Sequence, residues 1–288
     1  KMLHLIKQPK IDFIKPMYFF LVLSAFLIAI GVHAVVSKKE MAYGVDFAGG
    51  QLQEYRFAKA LSADQLRQAL KAGDVKDAVI QQFDKNPQDV IVRSSEDTYE
   101  KVVAAFKAAF NDNKFEIMRI EKVGPVVGKA LRERALWAII LALGSILLYI
   151  GIRFKNFAFA VGGIVALFHD ILIALGLSVM MGRQIDLLVV TALLTIAGYS
   201  INDTIVIFDR VRENLEKNRK MPLKDIINLS INQTLGRTIL TSSGTILVVL
   251  SLFLFGGEVL NTFSLVLLIG FIFGVYSTMF IVAPFVLL

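Results

Sequence analysis

The chain has 288 residues, of which 56% are hydrophobic and 19% charged, with a mean hydropathy of +0.64, a balance too apolar for an ordinary cytosolic enzyme. Zero cysteines exclude disulfides, thiolate metal sites and Cys nucleophiles, and three scattered histidines provide no HExxH-type ligand cluster, so a metal hydrolase is disfavoured. The net charge of +7 is carried mostly by residues flanking apolar spans, which makes it a topology signal rather than a nucleic-acid signal.

Crossing about 30 Å of hydrocarbon takes about 20 apolar helical residues. Six runs qualify: 17–36, 135–152, 157–182, 187–208, 237–255 and 262–288. The first lies far from the chain start and lacks a small-residue cleavage site, so it reads as a membrane anchor rather than a removable signal peptide. Lys1, Lys7, Lys10 and Lys15 precede span one, Arg153 and Lys155 separate spans two and three, and Arg210, Arg212, Lys217, Arg219, Lys220 and Lys224 separate spans four and five. The opposite short loops hold only Arg183. The positive-inside rule therefore expects 1–16 and the C-terminus in the cytoplasm and 37–134 outside.

The segment 37–134 changes character. Leu52 to Phe57 reads as a strand, Ser62 to Ala72 as a helix opened by a Ser N-cap, and Ala78 to Phe83 and Asp89 to Arg93 as two strands around Asn86-Pro87. Ser95 to Phe110 follows as a helix with Val102, Val103, Phe106 and Phe110 on its apolar face, and Lys114 to Val123 as a last strand. The order βαββαβ predicts a ferredoxin-like α+β domain between the first two spans of a polytopic α-helical membrane protein. Gly44-Val45-Asp46-Phe47-Ala48-Gly49-Gly50 precedes it. Its glycines suit tight backbone geometry, and no Lys-Ser/Thr follows to make it a phosphate loop.

Residues 135–288 make a five-helix bundle, interrupted at 209–234 by charges mixed with Val211, Leu215, Leu223, Ile226, Ile227 and Ile231. Pro222 is expected to break this cytoplasmic segment into two short amphipathic helices, which either lie on the headgroups as a connector or dock a partner.

An ionisable side chain in hydrocarbon costs about 2.5–3.5 kcal/mol on insertion scales and so asks for a partner, a water path or a function. In span four, Thr195, Tyr199 and Asp203 fall at i, i+4, i+8, with Ser200 and Asn202 adjoining; in span five, Arg237, Thr241 and Thr245 repeat the spacing. A two-sided polar seam is expected. Arg237 moving relative to Asp203 would switch the acid between proton uptake and release; alternatively the two form a fixed ion pair. His169-Asp170 in span three is either a proton relay or interhelical glue. No nucleophile, base and oxyanion set can be assembled, so no bond-making catalysis is expected.

Together Gly44 to Gly50, Val123-Gly124-Pro125, Phe168-His169-Asp170, Ala197 to Asn214 and Asn232 to Thr238 resemble the SecF family, the smaller half of the bacterial SecD/SecF complex. The likeness covers essentially the whole chain, and the span-four motif is its most specific part. The resemblance implies an accessory subunit of the Sec protein translocase in the bacterial inner membrane, with an RND-like bundle. It also implies the proton gradient as energy source with no cofactor, and unfolded preprotein as substrate. Its implied partners are SecD and the SecYEG channel, with YajC and YidC as further ones. By motif, Asp203 is the proton-responsive carboxylate, Arg237 its basic partner, and Asp46, Phe47, Gly49 and Gly50 the element at the base of the soluble domain. Two other readings are a non-energised scaffold joining SecYEG to insertase partners and a small-molecule RND-type exporter. The small insert and single half-bundle weigh against the exporter.

Overall fold

The computed structural model describes residues 9–75, 78–82, 86–94, 97–154 and 157–287. Lys1, Lys7 and Lys155 of the charge pattern, Phe83 at the end of an expected strand and Ser95 at the start of an expected helix lie outside the described residues. The chain is mostly helical with one small antiparallel sheet, and it separates into two compact units: Tyr43–Arg134, and the remainder.

In the first unit, α2 (Val45–Ala48) leads into β1 (Gly50–Phe57), followed by α3 (Ala63–Ala72), β2 (Val79–Gln82), β3 (Asp89–Ser94), α4 (Tyr99–Ala109) and β4 (Phe115–Val123). The strands order β2-β3-β1-β4, every neighbouring pair antiparallel. Helix α3 starts where a capping box allows it: Ser62 Oγ accepts from the Gln65 N–H at 3.2 Å, and Gln65 Oε1 accepts from the Ser62 N–H at 2.8 Å. Because strand side chains alternate, Tyr55 and Phe57 reach one face of the sheet and join Leu66, Leu70, Val102 and Phe106 in the core beneath α3 and α4. Leu52 and Ile91 reach the other face and meet Val45 of α2.

Among the described residues six helices are long and apolar enough to cross a membrane, and apart from residues 125–134 of α5 they belong to the second unit: α1 (Met17–Lys38), α5 (Pro125–Phe154), α6 (Phe157–Met180), α7 (Leu187–Lys217), α8 (Leu223–Phe255), and α9 (Gly257–Phe280) running into α10 (Val282–Leu287). Helices α6, α7 and α9–α10 are the most enclosed, whereas few residues of α1, α5 and α8 are buried. On α1 the buried residues are Met17, Ser24 and Gly31, one every seven positions and hence one stripe. Gly31 lies against Gly176 of α6 so closely that a Cβ built on Gly176 would sit 2.5 Å from the Gly31 Cα. Small residues at a helix crossing let the backbones touch where a larger side chain would separate them.

The segment 209–234 differs from expectation. Helix α7 continues unbroken to Lys217, and α8 starts at Leu223 directly after Pro222, so there are no separate interfacial helices. Proline suits the entry of a helix, where its missing N–H goes unneeded. Four of the six apolar residues assigned to headgroups instead pack inward, Val211, Ile226, Ile227 and Ile231 being buried, whereas Leu215 is half-buried and Leu223 exposed. Asn214 Nδ2 donates to Ser230 Oγ and Gln233 Oε1, both at 2.9 Å, and joins the two extensions. The chain before α1 is held here too. Asn232 accepts from the Ile11 N–H at 2.9 Å and donates to its carbonyl at 2.8 Å, while Asn228, one turn earlier, accepts from the Phe13 N–H at 2.8 Å.

Candidate functional site

Asp186 caps α7 by accepting the Val189 N–H at 2.8 Å. From there the i, i+4, i+8 row does not remain on one face. Each step of four residues advances about 40° past a full turn. Thr195 is therefore exposed, Tyr199 half-buried, and Asp203 enclosed at 5% exposure. Thr195 needs no external partner, since its hydroxyl donates to the Thr191 carbonyl at 2.8 Å. Asn202 is exposed beside Asp203.

The carboxylate of Asp203 meets α8 through a residue the polar-seam argument passed over. Ser242 Oγ donates to Asp203 Oδ2 at 3.2 Å, and the Tyr199 hydroxyl donates to Ser242 Oγ at 3.5 Å. The Tyr199 ring lies 4.5 Å from that of Phe271 on α9. Among the described residues no ion pair joins Asp203 to Arg237. Arg237 and Thr241 are exposed, and the Thr241 and Thr245 hydroxyls donate to carbonyls of their own helix. The fixed-pair expectation is thus corrected. Ser242 lies five positions after Arg237, placing the two about 140° apart around the helix. The stripe turned inward is Thr234, Thr238 and Ser242, all buried.

Around α6 the structure gathers what the sequence left divided. His169 Nδ1 and Asp170 Oδ1 are 2.9 Å apart, although neighbouring helix residues diverge by about 100°. Ser200 of α7 and Ser277 of α9 donate to Asp170 Oδ2 at 2.6 and 2.9 Å, and His169 Nε2 lies 2.9 Å from Ser24 Oγ of α1. Four helices, α1, α6, α7 and α9, meet at one buried polar cluster.

In the other unit, Asp46 and Phe47 sit in α2, Phe47 buried and Asp46 half-buried. Gly49 and Gly50 have φ of 77° and 107°, values that disfavour any side chain. A Cβ on Gly49 would also come within 2.9 Å of the Pro125 Cα, and one on Gly128 within 3.1 Å of the Gly49 nitrogen. The glycines therefore serve close backbone packing. Arg132 clasps the same region, donating to the Tyr43 hydroxyl at 2.7 Å with its guanidinium 4.0 Å above the ring.

Residues 76–288 match the family model described as "Protein export membrane protein SecD/SecF, C-terminal". The protein translocase subunit SecF of Thermodesulfovibrio yellowstonii is 39% identical, the match covering 100% of this chain and 97% of that one. The Vibrio alginolyticus SecF is 41% identical over 92% of this chain and 85% of its own length. Among solved structures, the crystal structure of SecDF, a translocon-associated membrane protein from Thermus thermophilus, superposes with a TM-score of 0.88 at 35% identity over 96% of this chain. A SecDF crystal structure in a super-membrane-facing form gives 0.72 at 34% identity over 98% of this chain. This chain spans only 38% and 39% of those two SecDF chains.

Proposed function

Since the chain belongs to the SecF family of protein translocase subunits, we propose that it works with a SecD-like partner to convert the proton gradient into late-stage preprotein movement across, and protein insertion into, the bacterial inner membrane. Both termini face the cytoplasm, and residues 37–134 form an extracytoplasmic ferredoxin-like domain that handles the emerging chain beside SecYEG, with YajC and YidC as further partners. No cofactor takes part.

The observation that carries this reading is the enclosure of Asp203 without a paired cation. A carboxylate locked to a guanidinium is a fixed strut, whereas one held by a single serine hydroxyl is free to exchange a proton as its surroundings change. Arg237 and Asn202, exposed on the same pair of helices, are polar groups within a span that require a protein partner or water rather than lipid. A facing helix of the SecD-like partner meets that requirement. Asp203 is then the proton acceptor and Arg237 the cation whose approach sets its charge state.

The test is preprotein export with the partner subunit present, comparing wild type, Asp203→Asn and Arg237→Ala with and without a proton gradient at matched protein levels. The proposal expects both variants to lose the gradient-dependent part and keep the remainder. Wild-type export by Asp203→Asn would establish the scaffold reading in its place.

A further inference from the structure

We propose that His169 and Asp170 form a second proton-binding site in the membrane-spanning unit, one that holds two protons between the two side chains. The observation is a count of hydrogens along a connected buried chain. The Tyr276 hydroxyl donates to the Phe20 carbonyl at 2.7 Å and lies 2.8 Å from Ser24 Oγ, which lies 2.9 Å from His169 Nε2. His169 Nδ1 is 2.9 Å from Asp170 Oδ1, and Ser200 and Ser277 reach Asp170 Oδ2 at 2.6 and 2.9 Å.

These are six contacts, and four hydroxyls contribute one hydrogen each. The Phe20 carbonyl contributes none. The Tyr276 proton is committed to Phe20, so Ser24 must donate to Tyr276. Ser24 Oγ then accepts from a hydrogen on His169 Nε2. The Nδ1–Oδ1 contact needs a hydrogen of its own, carried by the imidazole or by the carboxyl group. Two protons therefore reside on the pair. A further acceptor, the Gly274 carbonyl 3.1 Å from Ser277 Oγ, raises the demand for hydrogens rather than lowering it.

Charge leads to the same state independently. His169 is 4% and Asp170 0% exposed. Helix α6 has no Lys or Arg, nor have α9 and α10, nor the Met17 to Val36 stretch of α1, nor α7 before Arg210. Among the described residues the titratable group in contact with the pair is Tyr276 of α9, itself a member of the chain and stacked on the His169 ring; Tyr199 and Asp203 of α7 are occupied with Ser242. At the end of α5, Arg153 pairs with Asp209. With two protons the pair is net neutral; with one it is an uncompensated buried anion, which is strongly unfavourable.

Losing the second proton has a defined structural consequence. Nδ1–H turns to Asp170, Ser24 reverses to donate to Nε2, and Tyr276 reverses to donate to Ser24, abandoning Phe20. The site thereby couples protonation to the contact between α1 and α9. Its part in transport rests on the translocase reading; its proton content does not.

The test uses the full chain in nanodiscs with 15N-labelled histidine rings; the chain has three histidines, and the two ring nitrogens of His169 are assigned with a His169→Gln control. Between about pH 5 and 8, the range where histidine ordinarily titrates, we expect Nε2 of His169 to carry a hydrogen at the acidic end. A lone pair on Nε2 throughout overturns the proposal. Tyr276→Phe removes two contacts and one hydroxyl hydrogen, leaving four contacts that close with a single proton on the pair. That variant should hold the second proton about tenfold less tightly, the loss of roughly one hydrogen bond. Nε2 behaviour identical to wild type at every pH also overturns the proposal. Neither readout involves export, so failure here is separable from failure of the translocase reading.

Discussion

Two aspartates are buried in the same helical unit and are held in opposite ways. Asp170, at the centre of α6, contacts a histidine and two serine hydroxyls contributed by its own helix, α7 and α9. Asp203, at the junction of α7 and α8, has one serine donor at 3.2 Å. A polar group surrounded by partners on several helices resists displacement, because moving any one helix leaves several groups unpaired in a low-dielectric interior. A group with one partner moves at small cost. The difference separates a polar hub that organises the bundle from a carboxylate suited to changing its environment during a cycle.

The largest expected effect is therefore at the hub. Asp170→Ala takes the shared carboxylate from His169, Ser200 and Ser277, of which Ser277 keeps the Gly274 carbonyl as an acceptor, and should lower the unfolding free energy by about 3–5 kcal/mol, the usual penalty for breaking a buried polar pair. Reduced membrane accumulation and a large drop in thermal midpoint in nanodiscs would report it. A midpoint near wild type would erase the contrast with Asp203. Ser277→Ala removes one of the hub's donors and should cost about 1–3 kcal/mol by the same assay. Ser242→Ala, on the loosely held side, should cost about 0.5–1.5 kcal/mol, the net worth of an ordinary hydrogen bond. Were Ser242→Ala more damaging than Ser277→Ala, Asp203 would be the better-anchored group and the contrast would be inverted.

The contrast also shows how far residue spacing reaches. The six spans are legible because hydropathy sums over about 20 residues and tolerates local error. Helix α3 is legible because Ser62 and Gln65 stand at capping-box spacing. The Asp203 partner is not, since α8 carries two stripes of equal regularity. Arg237, Thr241 and Thr245 form one, and Thr234, Thr238 and Ser242 the other. Periodicity identifies which residues share a face but not which face meets a neighbour, and the stripe bearing the conspicuous charge faces outward. Pro222 misled for a related reason: proline marks a helix boundary, but only packing decides whether the next helix lies on the membrane or enters it. The Asn228 and Asn232 clamp joins residues more than 200 positions apart, a tertiary fact without a local signature.

A third buried carboxylate, Glu54 of the sheet unit, sharpens the comparison because its surroundings are those of a small α+β unit rather than a span. It sits on β1, paired in register with Arg119 of β4. Burial raises its pKa above the usual carboxylate range, opposed in smaller measure by the charge of Arg119. The folded unit therefore holds this proton more tightly than the unfolded chain does, and Glu54 contributes its full stabilisation below the ordinary glutamate value. That contribution falls as pH rises through the folded value, from about 4.5 upward. Glu54→Gln cannot titrate and should flatten this dependence with little change at the acidic end. Hydrogen exchange of β1 amides in the full chain, corrected for intrinsic rates, reads the local opening free energy. A wild-type unit that becomes more stable on passing from pH 4.5 toward neutrality would show that the Arg119 charge governs Glu54 and that burial does not, and a glutamine variant with the same slope as wild type would show that Glu54 does not carry the dependence.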